Sequence, residues 1–408
     1  MTSHKRVDLA HFTLRQMMEL EACTRCGECI ETCPTFVEKR VEAIHPLQKI
    51  ASTKRFWKAD HLGLLARLFG LRRPTLEEQA GYGQGVYACT LCARCHVVCP
   101  VQIDTRSLWI SMREQLVDWN LHPEAFDLLR DRVTTQYNIS GEDNANRLVW
   151  SENMERIPAG LDRRQGAETV YFAGCVGAMY PRVYAVPQSF VQILERAGQS
   201  FTTLGGEEWC CGFPLQIAGM GAHVPTLARH NVDAVRAIGA RQLVTTCPSC
   251  YHTWAHDYPR LLGEPLGFEV LHATEWLAAL IDQGCIELKG FAQPVTYHDP
   301  CDLGRTSGIY EAPRRIIQAI PGIEFLEMEE NREMALCCGG GGDAEMADAE
   351  LTAAVGQRRI RQAQDTGARV VVSACQQCVR TLAEAARRNR IRVRAMDITE
   401  LVWRAMQE

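Results

Sequence analysis

Short apolar runs that stop at cysteines organise the C-terminal two-thirds of the chain. Val170-Tyr-Phe-Ala173 leads into Cys175, Leu243-Val-Thr-Thr246 into Cys247, Val295-Thr-Tyr-His298 into Cys301, and Val370-Val-Val-Ser373 into Cys375. Their length and β-branched content predict short strands. Between them the apolar positions switch to helical spacing over Pro187–Ala197, His230–Ile238 and Leu351–Ala363, with Pro187 suited to a first helical position. Strand, cysteine, helix in repeated order predicts parallel α/β sheets, whose sites form beyond the carboxyl ends of the strands. The first 150 residues carry helical patterning instead, including the stretch His61–Gly70, too densely apolar for a solvated loop and best read as core.

Composition then narrows the function classes. The 408 residues are 46 % hydrophobic and 23 % charged, enough to bury cores in two or three domains, which excludes disorder. A net charge of −5 without a basic run excludes a nucleic-acid footprint or a polybasic membrane anchor. No stretch of 18 apolar residues occurs, and the N-terminus lacks a signal-peptide core, so a reducing cytosol and no membrane span are expected. In that compartment 19 cysteines, an odd number in a long chain, point to metal or redox chemistry rather than disulfides.

Eight of them form two runs, Cys23-Thr-Arg-Cys26-Gly-Glu-Cys29-Ile-Glu-Thr-Cys33-Pro34 and Cys89-Thr-Leu-Cys92-Ala-Arg-Cys95-His-Val-Val-Cys99-Pro100. Each has the CxxCxxCxxxCP spacing of a bacterial ferredoxin, in which three thiolates wrap one [4Fe–4S] cube and the fourth serves the other. The expected sets are therefore Cys23, Cys26, Cys29 and Cys99 for one cube, and Cys89, Cys92, Cys95 and Cys33 for the second. A zinc site would need only two pairs.

Ten more cysteines fall in an internal repeat. Cys175, Cys210, Cys211, Cys247 and Cys250 are matched by Cys301, Cys337, Cys338, Cys375 and Cys378 at offsets of 126, 127, 127, 128 and 128 residues. Thr274-Glu275-Trp276-Leu277 is answered by Thr399-Glu400-Leu401-Val402, and only Cys285 is left over, read as a small buried residue with no role in the chemistry. Five thiols are one more than a cube needs, which suggests an irregular cluster or an iron open to substrate. Gly212 and the Gly339–Gly342 run free the backbone for close approach to such a cofactor. The glycine run lacks the lysine and hydroxyl residue of a phosphate loop, and no GxGxxG motif appears, so no flavin or nicotinamide is expected on this chain.

These motifs make the chain similar to proteins that carry two CCG domains, named for Cys-Cys-Gly, behind a two-cluster ferredoxin-like module. The arrangement resembles the catalytic D subunit of heterodisulfide reductases, and His298-Asp-Pro-Cys301-Asp-Leu-Gly-Arg305 followed by Cys337-Cys-Gly-Gly-Gly-Gly342 is similar to that group's second-domain signature. The resemblance implies a helical ferredoxin-like domain over 1–150 and CCG domains over 151–290 and 291–408. It also implies a noncubane [4Fe–4S] cluster on each five-cysteine block, with a disulfide reduced, or thiols oxidised, between them. Gln376-Gln377 stand where that family often has a proline, as in Cys247-Pro248.

Two electrons must reach such a disulfide through one-electron carriers, so relay through the N-terminal cubes is expected, with a flavoprotein or membrane cytochrome b as partner. The protein would then sit in the cytoplasm or against the inner face of the membrane through that partner. His252 and His298 are candidate proton donors, because histidine titrates near neutrality. Trp209 and Tyr297 read as core aromatics, and Arg305 as either an anion contact or a loop bridge. The rival reading is an electron-transfer subunit of a glycolate or lactate dehydrogenase, or of an electron-transfer-flavoprotein:quinone system.

Overall fold

The computed structural model describes residues 5–62, 65 and 70–407, so most of the stretch His61–Gly70 lies outside the described residues. The chain forms two compact units, one of Met1–Leu128 with Pro214–Gly221 and Gly339–Val355, the other of Leu129–Phe213, Ala222–Cys338 and Gly356–Glu408.

The first unit is helical. Thr13 and Thr75 open the helices Leu14–Ala22 and Leu76–Tyr87 with capping boxes closed by Gln16 and Glu78, which satisfy amides that have no intrahelical partner. Pro46–His61 buries Ile50, Phe56 and Ala59, and Thr105–Asp118 buries Leu108, Trp109, Met112 and Leu116. The cysteine runs pass through the short helices Glu28–Thr32, Pro34–Lys39 and Arg94–Val97. At matching positions in the two runs, Arg25 and Gly27, then Leu91 and Ala93, take φ of +60°, +89°, +54° and +60°. Left-handed residues interleaved in this way turn successive amides into a concavity suited to an anionic group. Only Gly27 adopts that conformation freely, so the other three are held by their surroundings.

Two segments from later in the chain are fastened into this unit by Arg113, which is fully buried. Its guanidinium donates to the carbonyl oxygens of Ile217 (2.7 Å), Gly342 (2.8 Å) and Cys89 (2.7 Å). Gly219, at φ +87°, packs against the same arginine so closely that a Cβ would stand 2.4 Å from its carbonyl carbon.

The second unit contains two four-stranded parallel sheets with the same order, β2-β1-β3-β4 and β6-β5-β7-β8. The strands are β1 (Thr169–Phe172), β2 (Phe201–Thr202), β3 (Gln242–Thr245), β4 (Glu269–His272), β5 (Pro294–His298), β6 (Glu324–Phe325), β7 (Val370–Ser373) and β8 (Arg394–Asp397). The four strands expected ahead of cysteines are β1, β3, β5 and β7, the central pairs of the sheets. The expected helices appear as Ala185–Arg196, Val224–Ile238 and Ala349–Asp365. Pro187 occupies the third position of its helix rather than the first, still among the amides that need no intrahelical acceptor. One apolar core serves both repeats, joining Tyr171, Phe190 and Trp276 to Tyr297, Ile316 and Leu401. Among the described residues no helix is long and apolar enough to cross a membrane.

Candidate metal centres

In the first unit the cysteines gather around two cavities. One is lined by Cys23, Cys26, Cys29 and Cys99, and also by Cys95, which lines both. The other is lined by Cys33, Cys89, Cys92 and Cys95. The fourth cysteine of each run thus lies with the first three of the other run. Cys26 is exposed, whereas Cys33, Cys89, Cys92 and Cys95 are buried. Burial pushes the Cys29 thiol up to about 11, helped by the neighbouring Cys23. Hydroxyls stand beside two of the sulfurs, Thr35 at 3.3 Å from Cys33 Sγ and Thr105 at 3.0 Å from Cys95 Sγ. Crowded buried thiols with these companions fit a metal that binds thiolates, since binding removes the protons that burial retains.

The second unit places the repeated blocks at the carboxyl ends of its strands. In the first block the sulfurs form one hydrogen-bonded chain, Cys175–Cys210–Cys211–Cys250–Cys247, with Cys250 Sγ 3.5 Å from Cys211 Sγ. In the second, Cys337, Cys338, Cys378 and Cys375 are linked in the same way, and Cys301 sits on the turn after β5, half buried. Each CxxC pair begins a helix: Cys247 caps Pro248–His252, and Cys375 Sγ accepts from the Cys378 amide at 3.4 Å. Cys247 is lowered, first by its hydrogen bond with Cys250, whereas Cys375, despite its bond with Cys378, is raised by burial and the charges of Cys247 and Cys338. The second cysteine of each adjacent pair is the acidic one. Cys211 is lowered to about 6 by hydrogen bonds from Cys210 and Cys250, and Cys338 well below its usual range by Cys337 and Cys378, with His298 adding to it.

The groups behind the sulfurs differ between the blocks. Arg147, 1 % exposed, reaches Cys175 Sγ at 3.4 Å and pairs with buried Glu208 at 2.9 Å. The Glu208 carboxylate also accepts from the amides of Ala173 (3.0 Å) and Gly174 (2.9 Å), fixing the strand end that carries Cys175. In the second block His298, Cys338 and Cys378 bring one potential ligand atom each within 4.8 Å of one another. Arg359 Nε donates to His298 Nδ1 at 3.0 Å. That bond puts the proton of the neutral ring on Nε2, a buried nitrogen with no hydrogen-bond partner among the described residues. Burial first, and the neighbouring guanidinium as well, hold His298 below its ordinary range. A salt-bridge cluster of Asp299, Arg314 and Glu327 braces the same turn, with Arg314 to Asp299 at 2.7 Å.

The two blocks meet. Gln376, fully buried, donates to Ala173 O (3.0 Å) and Thr246 Oγ1 (2.6 Å) of the other repeat. Ser249 Oγ donates to Asp302 Oδ2 (2.6 Å), and Cys375 feels the charge of Cys247. His252 Nδ1 lies 3.2 Å from Ser307 Oγ. The Ser307 hydroxyl gives its own proton to Asp302 O at 2.7 Å, so the histidine is the donor. The remaining candidates are packing or bracing groups. Trp209 is stacked between Tyr137 (3.6 Å) and His230 (3.5 Å), Tyr297 is buried in the shared core, and Arg305 donates to Glu333 O and Ala335 O on the approach to Cys337. Cys285 is exposed rather than buried. Arg147, Glu208 and Arg359 had no sequence signal beyond being charged; each is recognisable only by what it touches.

Residues 19–103 match the 4Fe-4S dicluster domain family, and 169–254 and 295–383 each match the cysteine-rich domain family, CCG. The chain is 35 % identical to the D subunit of the dihydromethanophenazine:CoB–CoM heterodisulfide reductase of Methanosarcina barkeri, over 98 % of this chain and 97 % of that protein. The corresponding subunit of Methanosarcina mazei is 36 % identical over the same shares. An EtfAB:quinone oxidoreductase of Syntrophomonas wolfei is 26 % identical over 98 % of this chain and 60 % of that protein. Among solved structures a hypothetical protein of Helicobacter pylori shares the fold, with a TM-score of 0.55 and 12 % identity over 98 % of this chain and 74 % of that one. The dicluster module, the repeated cysteine-rich domains and full-length likeness together place the chain among the heterodisulfide reductase D subunits, a family of iron–sulfur proteins that work within oxidoreductase complexes.

Proposed function

We propose that this chain is the subunit of an oxidoreductase complex in which a small disulfide is reduced, or the thiols re-oxidised, between the two cysteine-rich repeats. The observation that carries the reading is the meeting of the blocks, where Gln376, Ser249 and Asp302 bridge the repeats and Cys247 and Cys375 sense one another. Two cubane clusters are assigned to Cys23, Cys26, Cys29 and Cys99, and to Cys89, Cys92, Cys95 and Cys33. Two noncubane clusters are assigned to Cys175, Cys210, Cys211, Cys247 and Cys250, and to Cys301, Cys337, Cys338, Cys375 and Cys378. Residues 1–150, 151–290 and 291–408 are the corresponding functional modules.

The clusters supply one-electron steps, two of which, with two protons, convert one disulfide into two thiols. The chain's own groups set the terms. Arg147 donates toward the Cys175 sulfur, and such bonds tune potential. With Nδ1 committed to Arg359, the His298 ring is held in place, which leaves His252, half-buried where the repeats meet, as the better proton carrier to product sulfur. The partner is a flavoprotein or a membrane cytochrome b that holds the chain at the inner membrane face. It also sets the direction of electron flow. The D subunits of Methanosarcina, matched over nearly their whole length, support disulfide chemistry over the quinone-directed relay suggested by the EtfAB:quinone oxidoreductase.

Anaerobic purification with iron analysis tests this. Four four-iron clusters give about 16 irons per chain. Cys211→Ala and Cys338→Ala abolish disulfide turnover while the N-terminal cubane signals persist. About 8 irons with cubane signals alone, or unchanged turnover in both variants, would overturn the reading.

A further inference from the structure

The second cysteine cavity of the helical unit contains a charge that no described protein group balances. Lys49, on the helix Pro46–His61, is 1 % exposed, and its Nζ makes no hydrogen bond among the described residues. It lies 5.3 Å from the centroid of the Trp109 ring and, together with the buried Arg94, lines the same cavity as Cys33, Cys89, Cys92 and Cys95. A buried ammonium without a carboxylate or carbonyl partner is strongly destabilising unless a negative group stands opposite. In this cavity the thiolates and the cluster they would hold are that group.

The first cavity has no equivalent. Its charged lining residues, Arg25 and Glu28, are both exposed. They are opposite in sign and open to counter-ions, whereas a buried charge is screened far less.

We infer that Lys49 is a potential-setting residue, whose buried ammonium makes the cluster held by Cys33, Cys89, Cys92 and Cys95 the more easily reduced of the two cubanes. The inference rests on the ligand assignment proposed above. Adding an electron increases the negative charge facing Lys49, so the reduced state gains more from the ammonium than the oxidised state does.

The test is a redox titration of the anaerobically purified full chain, followed by electron paramagnetic resonance. The signal lost in Cys92→Ser identifies the inner cubane. Lys49→Met is expected to lower the midpoint of that signal by a tenfold change in equilibrium constant or more, about 59 mV for one electron, and to leave the outer cubane unmoved. Lys49→Arg is expected to keep the wild-type midpoint. After the iron is chelated, the Met variant is expected to melt above the wild type, because the unbalanced ammonium is gone. A purely packing role for the lysine stem would lower stability both with and without iron. An inner midpoint that does not move, at unchanged iron content, overturns the inference and leaves the ligand assignment standing. A wild-type chain without a second cubane signal overturns both. Should Lys49→Met lose the inner cluster, Lys49→Gln against Lys49→Arg gives the same comparison, and equal midpoints in that pair overturn the inference.

Discussion

Buried charge next to sulfur distinguishes the residues that shape the two cysteine-rich sites. Arg147 and Glu208 are each 1 % exposed, and together they tie Cys175 to the amides of Ala173 and Gly174. Removing one member leaves the other charged and buried away from bulk solvent. Arg147→Met is therefore expected to destabilise the chain by about 3–5 kcal/mol, read as a lowered urea midpoint. A loss below about 1 kcal/mol, the range of an exposed pair, would show that the pair is not the brace described. The cysteines were legible from spacing, because ligand geometry is written into local sequence. Arg147 was not, since nothing near it in sequence shows that it is brought to a strand end 25 residues later. His298 lay between these cases: its place before Cys301 marked it, but its tautomer depends on Arg359, 61 residues away.

The repeats keep their backbone plan and vary the chemistry at equivalent points. Where the first repeat begins its CxxC helix with Pro248, the second has Gln376, whose amide crosses to Ala173 and Thr246. At the turn from the last strand into the last helix, the first repeat caps with His272, which accepts from the Thr274 amide at 3.2 Å, and the second with Asp397, which accepts from the Thr399 amide at 2.9 Å. Both caps are 1 % exposed, and burial favours the neutral form of each, lowering His272 to about 3 and raising Asp397 to about 7. For Asp397 the sign is that of a raised acid. Its contribution is fully present below its ordinary value of 3.8 and is lost as pH rises toward 7. Asp397→Asn keeps the cap and removes the titration, so its stability relative to wild type is expected to grow from pH 4 to pH 7, by up to roughly 4 kcal/mol, and then level off. Thermal melts across that range check it, and a constant difference would show that Asp397 stays neutral or is equally solvated in both states. At this scale the sequence announced β1, β3, β5 and β7 through uninterrupted apolar runs. The edge strands β2 and β6 are two residues long, and β4 and β8 begin with exposed residues, so no pattern distinguishes them from loop.

At the scale of the whole molecule the two units depend on metal to different degrees. In the helical unit the cysteine runs are carried by helices of five, six and four residues, too short to persist without tertiary support. They enclose cavities lined by thiols, with the uncompensated Lys49 beside one of them. The second unit is built on two hydrogen-bonded sheets and a common core with fully buried Trp150, Tyr171 and Tyr297. Local spacing could not reveal that Pro214–Gly221 and Gly339–Val355 belong to the helical unit, because that membership rests on carbonyl contacts with Arg113 from distant sequence. Metal binding free energy is folding free energy where the ligands are otherwise unsupported. Anaerobic chelation of iron from the intact chain is therefore expected to open residues 23–39 and 89–105 to limited proteolysis. The sheet contribution to circular dichroism and the protection of residues 169–298 should remain. Cleavage spreading through β1 and β3 at the same rate as through Cys23–Cys33 would mean that the clusters hold the sheets together as well, and that the shared apolar core is not sufficient to keep them folded.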